Sequence, residues 1–290
     1  MQKAVINLKI IFDKCSDAVS NAVVNKGFGV FYSEENTYNH EIHTHDCCEV
    51  MFCIDGGKNF LVDDKIYEVN PGDVFILNQF EPHKISFREG TKPRRYVLQI
   101  HAEFLFNCST RETNLARCFY ERDEDTSHRL HLDEAELGYI EKIFGELKCE
   151  HSFGDDILKK NAIIQLLVFL NERFATYHNM SSSFQIKSEQ LKKAISYIND
   201  NLSDKLLLED IAKNSYISVN QLCKLFKENL GTTVIKYITG QRISKAKKYL
   251  KSGKSVSETA FLCGFGDYAN FIRTFSGSVG ISPGKYSREK

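Results

Sequence analysis

Residues 208–237, LEDIAKNSYISVNQLCKLFKENLGTTVIKY, are followed by a second version of themselves at 256–286, VSETAFLCGFGDYANFIRTFSGSVGISPGKY. Phe226, Gly231, Lys236 and Tyr237 return as Phe275, Gly280, Lys285 and Tyr286, each 49 residues on. Leu208 and Ala212 return as Val256 and Ala260, 48 residues on, so one residue is inserted between Ala260 and Phe275. A repeat of this length is the size of a small helical unit, and it sets the architecture of the C-terminal third before any single element is assigned.

Each copy has the same internal grammar. Leu208 to Ala212 predicts a short helix, which breaks at Asn214-Ser215-Tyr216-Ile217. Ser218 is a good N-cap, since its hydroxyl can accept from a free backbone N–H. After it, Val219, Leu222 and Phe226 fall on one helical stripe, while Asn220, Gln221, Lys224 and Lys227 lie off it. The second copy breaks at Cys263-Gly264-Phe265-Gly266 and restarts at Asp267, with Phe271 and Phe275 inward and Asn270, Arg273 and Thr274 outward. Two helices, a tight turn and a polar-basic outer face make a helix-turn-helix, whose second helix fits the major groove of DNA. A linking helix from Thr233 to Lys251 would span about 28 Å at 1.5 Å per residue, close to the roughly 34 Å between successive major-groove faces. Asn220, Gln221, Lys224, Tyr268, Asn270 and Arg273 are the expected base-edge residues, because amides pair with adenine and Lys or Arg with guanine. Ser218, Lys227, Thr232 and Thr274 complete the expected interface, with Lys227 and Thr232 on phosphates.

The segment resembles the DNA-binding domain of the AraC/XylS family of bacterial transcription regulators. The resemblance is carried by Ala212, Ser218, Leu222, Phe226, Gly231, Tyr237, Arg242, Ala246, Leu250, Ala260, Gly264-Phe265, Phe271, Phe275, Gly280, Ser282-Pro283 and Tyr286. It departs from the family at Ser276-Gly277-Ser278, where basic residues are usual. That departure predicts a second recognition helix that ends early or grips phosphate weakly. The resemblance implies a homodimer that binds operator DNA and acts with RNA polymerase.

Charge supports the division. The chain is neutral overall, but residues 188–290 hold 17 Lys and Arg against 9 Asp and Glu, and the remainder 21 against 29. The basic excess coincides with the repeat, as phosphate binding requires. Nine cysteines without CxxC spacing, and an opening Met1-Gln2-Lys3 unlike a signal peptide, predict reduced thiols in a cytoplasmic protein. The longest apolar run, Ile163 to Leu170, is too short to span a bilayer.

Upstream the period changes. Val5 to Phe12 predicts a strand and Ser16 to Val24 a helix. Short strands are expected at Phe28–Tyr32, Val50–Ile54, Asn59–Val62, Lys65–Val69, Val74–Leu77, Lys84–Phe87 and Tyr96–His101, separated by turn signals such as Asp55-Gly56-Gly57 and Pro71-Gly72-Asp73. Many short strands with regular turns predict a sandwich or barrel. From Leu132 the period is helical. Leu132–Glu150 carries Leu137, Ile140, Phe144 and Leu147 on one stripe, and Ile157–Tyr177 is apolar on nearly every side, a pattern that demands cover from all directions. One side suits the barrel; the other, with Ile163, Ile164, Leu167 and Phe169, needs the DNA-binding domain or a second subunit unless core packing within the chain absorbs it, and the resemblance implies dimerisation through these helices. Asn179 to Ser183 has the composition of a flexible linker.

The spacing His43-x-His45-x₃-Glu49-x₆-Gly56 resembles the first motif of the cupin barrel, and Gly72 followed by His83 a looser second one. In metal-binding cupins two His, a Glu and a later His converge on one ion, and imidazole with carboxylate suits Zn, Fe, Ni or Mn. On an unbroken strand His43, His45 and Glu49 would share a face, with His83 arriving from a neighbouring strand. A polar organic effector is the favoured occupant; a divalent transition metal on the same four residues, or hydrogen-bonded core histidines, are the alternatives. Cys47 and Cys48 could add soft ligands or simply pack.

The expected fold is therefore α+β with two domains: a cupin-like effector-sensing β-barrel (residues 1–131) with a helical dimerisation segment (132–178), then an all-α tandem helix-turn-helix domain (188–290). The expected function is a non-enzymatic, sequence-specific transcription regulator that answers to a small molecule. The competing readings are a constitutive dimer whose barrel senses nothing, and a metal-dependent cupin enzyme with an accessory DNA domain. No separate acid–base pair supports the enzyme.

Overall fold

The computed structural model describes residues 10–34, 42–88, 90–122, 126–151, 153–177, 188–230 and 232–288. The expected linker at 179–183, residues 5–9 of the first expected strand and Gly231 lie outside them. Strand β1 (Ile11–Phe12) and helix α1 (Cys15–Val24) lead into β2 (Phe28–Ser33), β3 (Cys48–Cys53), β4 (Asn59–Val62), β5 (Lys65–Glu68), β6 (Asp73–Leu77), β7 (His83–Ser86) and β8 (Arg95–Ile100). Helices α2 (Ala102–Cys108) and α3 (Arg117–Tyr120) and strand β9 (Arg129–His131) follow, none of them expected from the sequence.

The strands form a six-stranded sheet in the order β1-β2-β8-β3-β6-β9 and a three-stranded sheet in the order β5-β4-β7. Strand β3 is buried along its whole length because both of its faces are covered. Met51 and Cys53 meet Phe60, Val62 and Tyr67 of the small sheet, while Val50 and Phe52 turn the other way. The outward set packs against α4 (Glu134–Lys148) and α5 (Asp155–Tyr177), where Phe144 stacks on Tyr96 at 4.0 Å and meets Phe52 edge-on at 5.2 Å. Burying one such aromatic is worth about 1.5–3 kcal/mol, so this second layer is a main source of stability. Asp133 starts α4 with a capping box, accepting from Glu136 N at 2.9 Å while its own N–H reaches Glu136 Oε2 at 3.0 Å. At the β6 hairpin Gly72 has φ +83°, and a Cβ there would lie 2.7 Å from the Leu132 carbonyl. Only glycine fits that approach.

The cover on α5 differs from expectation. Ile163 and Leu167 are fully buried within one chain, together with Leu166 and Leu170. Ile164 and Phe169 are partly buried, and with Val168 and Tyr139 of α4 they line a shallow groove of about 530 Å³. The apolar excess on α5 is thus largely absorbed by the β domain, leaving one stripe uncovered.

The C-terminal domain comprises α6 (Glu189–Asp200), α7 (Leu208–Asn214), α8 (Val219–Leu230), α9 (Val234–Lys251), α10 (Val256–Leu262), α11 (Tyr268–Val279) and α12 (Pro283–Arg288). Helices α7 and α10 are offset by 48 residues and α8 and α11 by 49, which places the inserted residue in the second turn. Helix α9 gives Val234, Tyr237 and Ile238 to one core and Ile243, Ala246 and Leu250 to the other. Gly264 in that longer turn has φ +74°, and a Cβ would meet Leu202 O at 2.5 Å. Helix α11 does not end early at Ser276-Gly277-Ser278. It continues to Val279 and closes on Gly280 at φ +86°, where the left-handed residue is the stop.

The two domains touch along α8 and α9. Lys58 Nζ and Asn59 Nδ2 donate to Glu228 O and Asn229 O at 3.1 and 3.0 Å, so the β domain caps carbonyls that the last turn of α8 leaves free. Gln241 Nε2 and Tyr237 OH donate to Asp63 O, Ser244 Oγ donates to Phe80 O, and Lys247 Nζ bonds Thr44 O at 3.2 Å and Asp46 Oδ1 at 2.9 Å. Gly240 faces Ile42 so closely that a Cβ would lie 2.9 Å from its Cγ2.

Candidate nucleic-acid interface and β-domain site

Helix α8 buries Leu222, Phe226 and Leu230 and α11 buries Phe271 and Phe275, which turns the opposite face of each to solvent. On those faces Asn220, Lys224, Lys227, Asn270 and Arg273 are exposed and Tyr268 is half exposed. Ser218 caps α8, its Oγ accepting from Gln221 N at 3.2 Å. Gln221 Oε1 in turn accepts from Ser218 N at 3.0 Å, a reciprocal box that was not expected. In this arrangement Gln221 is a capping residue, and base contact would require it to leave the box. Asp267 caps α11 by accepting from Ala269 N and Asn270 N at 3.3 and 2.8 Å. Two expected contacts sit less openly. Thr232 is 4% exposed, so its side chain is no surface phosphate ligand, and Thr274 is half-buried with its hydroxyl 3.4 Å from Asn270 Oδ1.

The β-domain histidines converge, but not along one strand. His43 makes an isolated antiparallel bridge with His83, donating its N–H to His83 O at 3.2 Å and accepting from His83 N at 3.0 Å. The chain then bends at Asp46-Cys47, and β3 begins only at Cys48. The break is the correction to the single-strand expectation. Glu49 still reaches the cluster because the bend returns the chain to it. Ring centroids of His43, His45 and His83 are 4.4–5.1 Å apart. Glu49 Oε2 lies 3.2 Å from His45 Nε2 and 3.5 Å from His83 Nε2, and accepts from Gln99 Nε2 at 2.6 Å. His83 Nδ1 is 2.9 Å from Glu81 O, which assigns a proton to Nδ1 and turns Nε2 toward Glu49. The Nε2 atoms of His45 and His83 are buried, and both face the same Glu49 oxygen.

Electrostatics sort the group. Burial works to raise the Glu49 pKa, but His83 and His45 outweigh it and hold the carboxyl well below its usual range. Burial lowers His45, whereas at His83 the Glu49 carboxylate overcomes burial and raises it. Cys47 and Cys48 make other contacts. Cys47 Sγ donates to Gln99 Oε1 at 3.0 Å, Cys48 Sγ lies 3.5 Å from Tyr120 OH, and burial raises both thiols, Cys48 to about 11.

A second polar cluster lies nearby that sequence reasoning missed. Arg122 donates to both Glu81 oxygens at 2.9 and 3.0 Å and to Ile76 O at 2.7 Å, and His128 Nε2 is 3.4 Å from Glu81. These residues line a cleft of about 440 Å³ with Asp63, Lys65 and Thr126. Arg122 and His128 carry no motif spacing, and only the tertiary fold joins them to Glu81.

Two family profiles match the chain: a helix-turn-helix domain over residues 211–289 and an AraC-like ligand binding domain over residues 27–167. The chain is 24% identical over 258 residues to YdeC of Bacillus subtilis, described as an uncharacterized HTH-type transcriptional regulator, covering 85% of this chain and 86% of that one. It is 27% identical over 237 residues to the lactose operon transcription activator of Staphylococcus xylosus, covering 80% of each. Among solved structures, ToxT from Vibrio cholerae superposes with a TM-score of 0.40 at 13% identity, over 90% of this chain and 98% of that one.

Proposed function

This chain belongs to the AraC/XylS family of transcription regulators, and on that premise we propose that a polar effector bound at His43, His45, Glu49 and His83 governs how its two helix-turn-helix units read an operator. One observation carries the regulatory part. The strap 42–46 that presents His43 and His45 is held on its other side by α9, through Lys247 to Thr44 and Asp46 and through Gly240 against Ile42. Whatever fills the histidine cluster therefore acts on the helix that fixes the spacing of the two recognition helices. Nε2 of His45 and of His83 share one carboxylate oxygen, Glu49 Oε2 at 3.2 and 3.5 Å, so a polar ligand that gives either ring a partner of its own would bind with a gain.

The regulator reading includes a cytoplasmic homodimer that works with RNA polymerase. Its contact surface is the uncovered stripe of Tyr139, Ile164, Val168 and Phe169 on α4 and α5, a more restricted patch than the sequence suggested. Among the described residues no helix is long and apolar enough to cross a membrane. The alternatives, a barrel that senses nothing and a cupin enzyme, predict respectively no ligand response and a turnover.

The test uses full-length protein and a DNA site chosen by selection from a random pool. A panel of polar metabolites is screened for a rise in thermal midpoint, since a native-state ligand stabilises by mass action. The reading expects a ligand whose effect on DNA affinity disappears in His45→Ala while ligand-free DNA binding persists. Full effector response in that variant would move the sensing site elsewhere.

A further inference from the structure

Among the described residues, four other than glycine take a left-handed backbone: Lys26, Asp63, Phe80 and Tyr216. Three of them have a local reason. Lys26 and Tyr216 follow the last turns of α1 and α7, where a left-handed residue closes a helix. Asp63 opens the two-residue hairpin between β4 and β5, a turn that calls for positive φ at that place. Phe80 is different. It is a bulky aromatic at φ +66°, in the turn between β6 and β7, and the bond that closes the turn, Glu81 N–H to Asn78 O, is long at 3.4 Å. At that third turn position a positive φ is the place of glycine.

What holds Phe80 lies far along the chain. Its N–H donates to His45 O in the strap at 2.9 Å, and its carbonyl accepts from Ser244 Oγ of α9 at 2.5 Å. The ends of the turn are fixed separately. Asn78 N donates to Glu81 Oε2 at 2.7 Å, and Arg122 grips both Glu81 oxygens. With those ends fixed and the carbonyl anchored on the buried Ser244, a change of φ at Phe80 swings its N–H. Left-handed φ is therefore the condition for the bond to His45 O.

We propose that Phe80 is a strained spring set against the strap 42–46, so that the strap stands poised to leave its closed position. While the strap is closed, the bond to His45 O keeps an aromatic residue in a conformation that L side chains resist. When the strap moves out, Phe80 relaxes to negative φ and the strain is released. The strain thus narrows the gap between the closed and the open strap. A ligand shifts a two-state element only by its differential affinity for the two states, so a narrower gap responds to a smaller difference. The output is α9, because the strap carries both acceptors of Lys247, Thr44 O and Asp46 Oδ1, and sets Ile42 beside Gly240. This rests on the reading of the strap as the element through which the histidine cluster acts, and it names the device that makes the strap responsive.

The experiment compares amide hydrogen exchange in the full chain carrying Phe80→Ala, Phe80→Gly or Phe80→Asn. No effector is added, so the outcome does not depend on what fills the histidine cluster. All three variants remove the aromatic ring and keep the backbone groups. Alanine keeps the left-handed penalty, glycine is free of it, and asparagine is largely so. The reporter is the His43 amide, bonded to His83 O at 3.2 Å, and the control is the Gly72 amide, bonded to Cys53 O at 2.9 Å elsewhere in the β domain. The proposal expects His43 to exchange about fivefold more slowly in Phe80→Gly than in Phe80→Ala, the extra freedom of glycine in the open state being allowed for, with Phe80→Asn also slower than Phe80→Ala. Gly72 should exchange alike in all three. If Phe80→Gly does not fold, Phe80→Asn against Phe80→Ala carries the same comparison. Equal His43 exchange in the alanine and glycine variants, or faster exchange in the glycine variant, overturns the spring. A parallel change at Gly72 shows strain spread through the whole β domain and overturns its assignment to the strap.

Discussion

Replacing Lys247 by Met is the sharpest probe of how the domains are joined. The ammonium is nearly buried, with its side chain 7% exposed, and it bonds Asp46 Oδ1 at 2.9 Å and Thr44 O at 3.2 Å. Methionine keeps most of the stem and removes the charge. Breaking a fully buried pair costs about 3–5 kcal/mol, whereas an exposed pair is worth about 0–1 kcal/mol. Asp46 is 26% exposed, so it can rehydrate once its partner is gone, and the expected cost falls between these limits at about 1–2 kcal/mol. That is a factor of about 5–30 in the population of strap-open molecules. The amides of His43 and Phe80, bonded to His83 O and His45 O, report it by hydrogen exchange. They should exchange about 5–30 times faster in Lys247→Met, and Asp46→Asn should add little to that change because both variants break one interaction. Unchanged exchange at both amides in both variants would refute a strap held by α9.

Other perturbations test separate parts of the account. Burial beside Asp64 pushes the Asp63 carboxyl up to about 6, against the opposing pull of Lys248 and Gln241 and with Glu81 adding to the rise. The docked state therefore binds a proton more readily than the open one, and docking should tighten as pH falls through 6, an effect absent in Asp63→Asn when domain separation is followed by small-angle scattering; weakening on acidification would contradict it. Gly72→Ala combines a positive φ with a Cβ 2.7 Å from Leu132 O, so it should destabilise the β domain by more than about 1–3 kcal/mol in thermal unfolding, and a wild-type midpoint would show that this hairpin yields. Ser218→Ala removes the α8 cap and should cost about 1 kcal/mol in urea unfolding; equal stability would mean that Gln221 caps the helix unaided.

Much of this architecture could be read from the residues, for reasons that are local. Leu222 with Phe226 and Phe271 with Phe275 carry a helical period strong enough to predict which face each recognition helix buries. Asn59–Val62 was expected with the bounds it has, because turn residues bracket it on both sides. Other features had no local signal. Strand β9 has three residues, too few for any period, and exists because β6 offers an open edge. Thr232 looked like a surface residue, but its burial depends on how α8 and α9 meet. The histidines were found by spacing, yet the bend at Asp46-Cys47 that brings Glu49 back to them is a product of tertiary packing. Domain docking was the least legible feature, since Lys58, Asn59 and Asp63 of the β domain make it with carbonyls and side chains far along the chain.

The central claim is that α8 and α11 both read DNA, and fluorescence anisotropy on a selected site, measured across a salt series, tests it most directly. Lys224→Ala and Arg273→Ala, from the exposed faces of α8 and α11, should each lose about 1–3 kcal/mol of specific binding with weaker discrimination against random sequence. Lys227→Ala should weaken all sequences alike and reduce the salt slope by about 1. Wild-type affinity and specificity in Arg273→Ala would contradict the role assigned to α11.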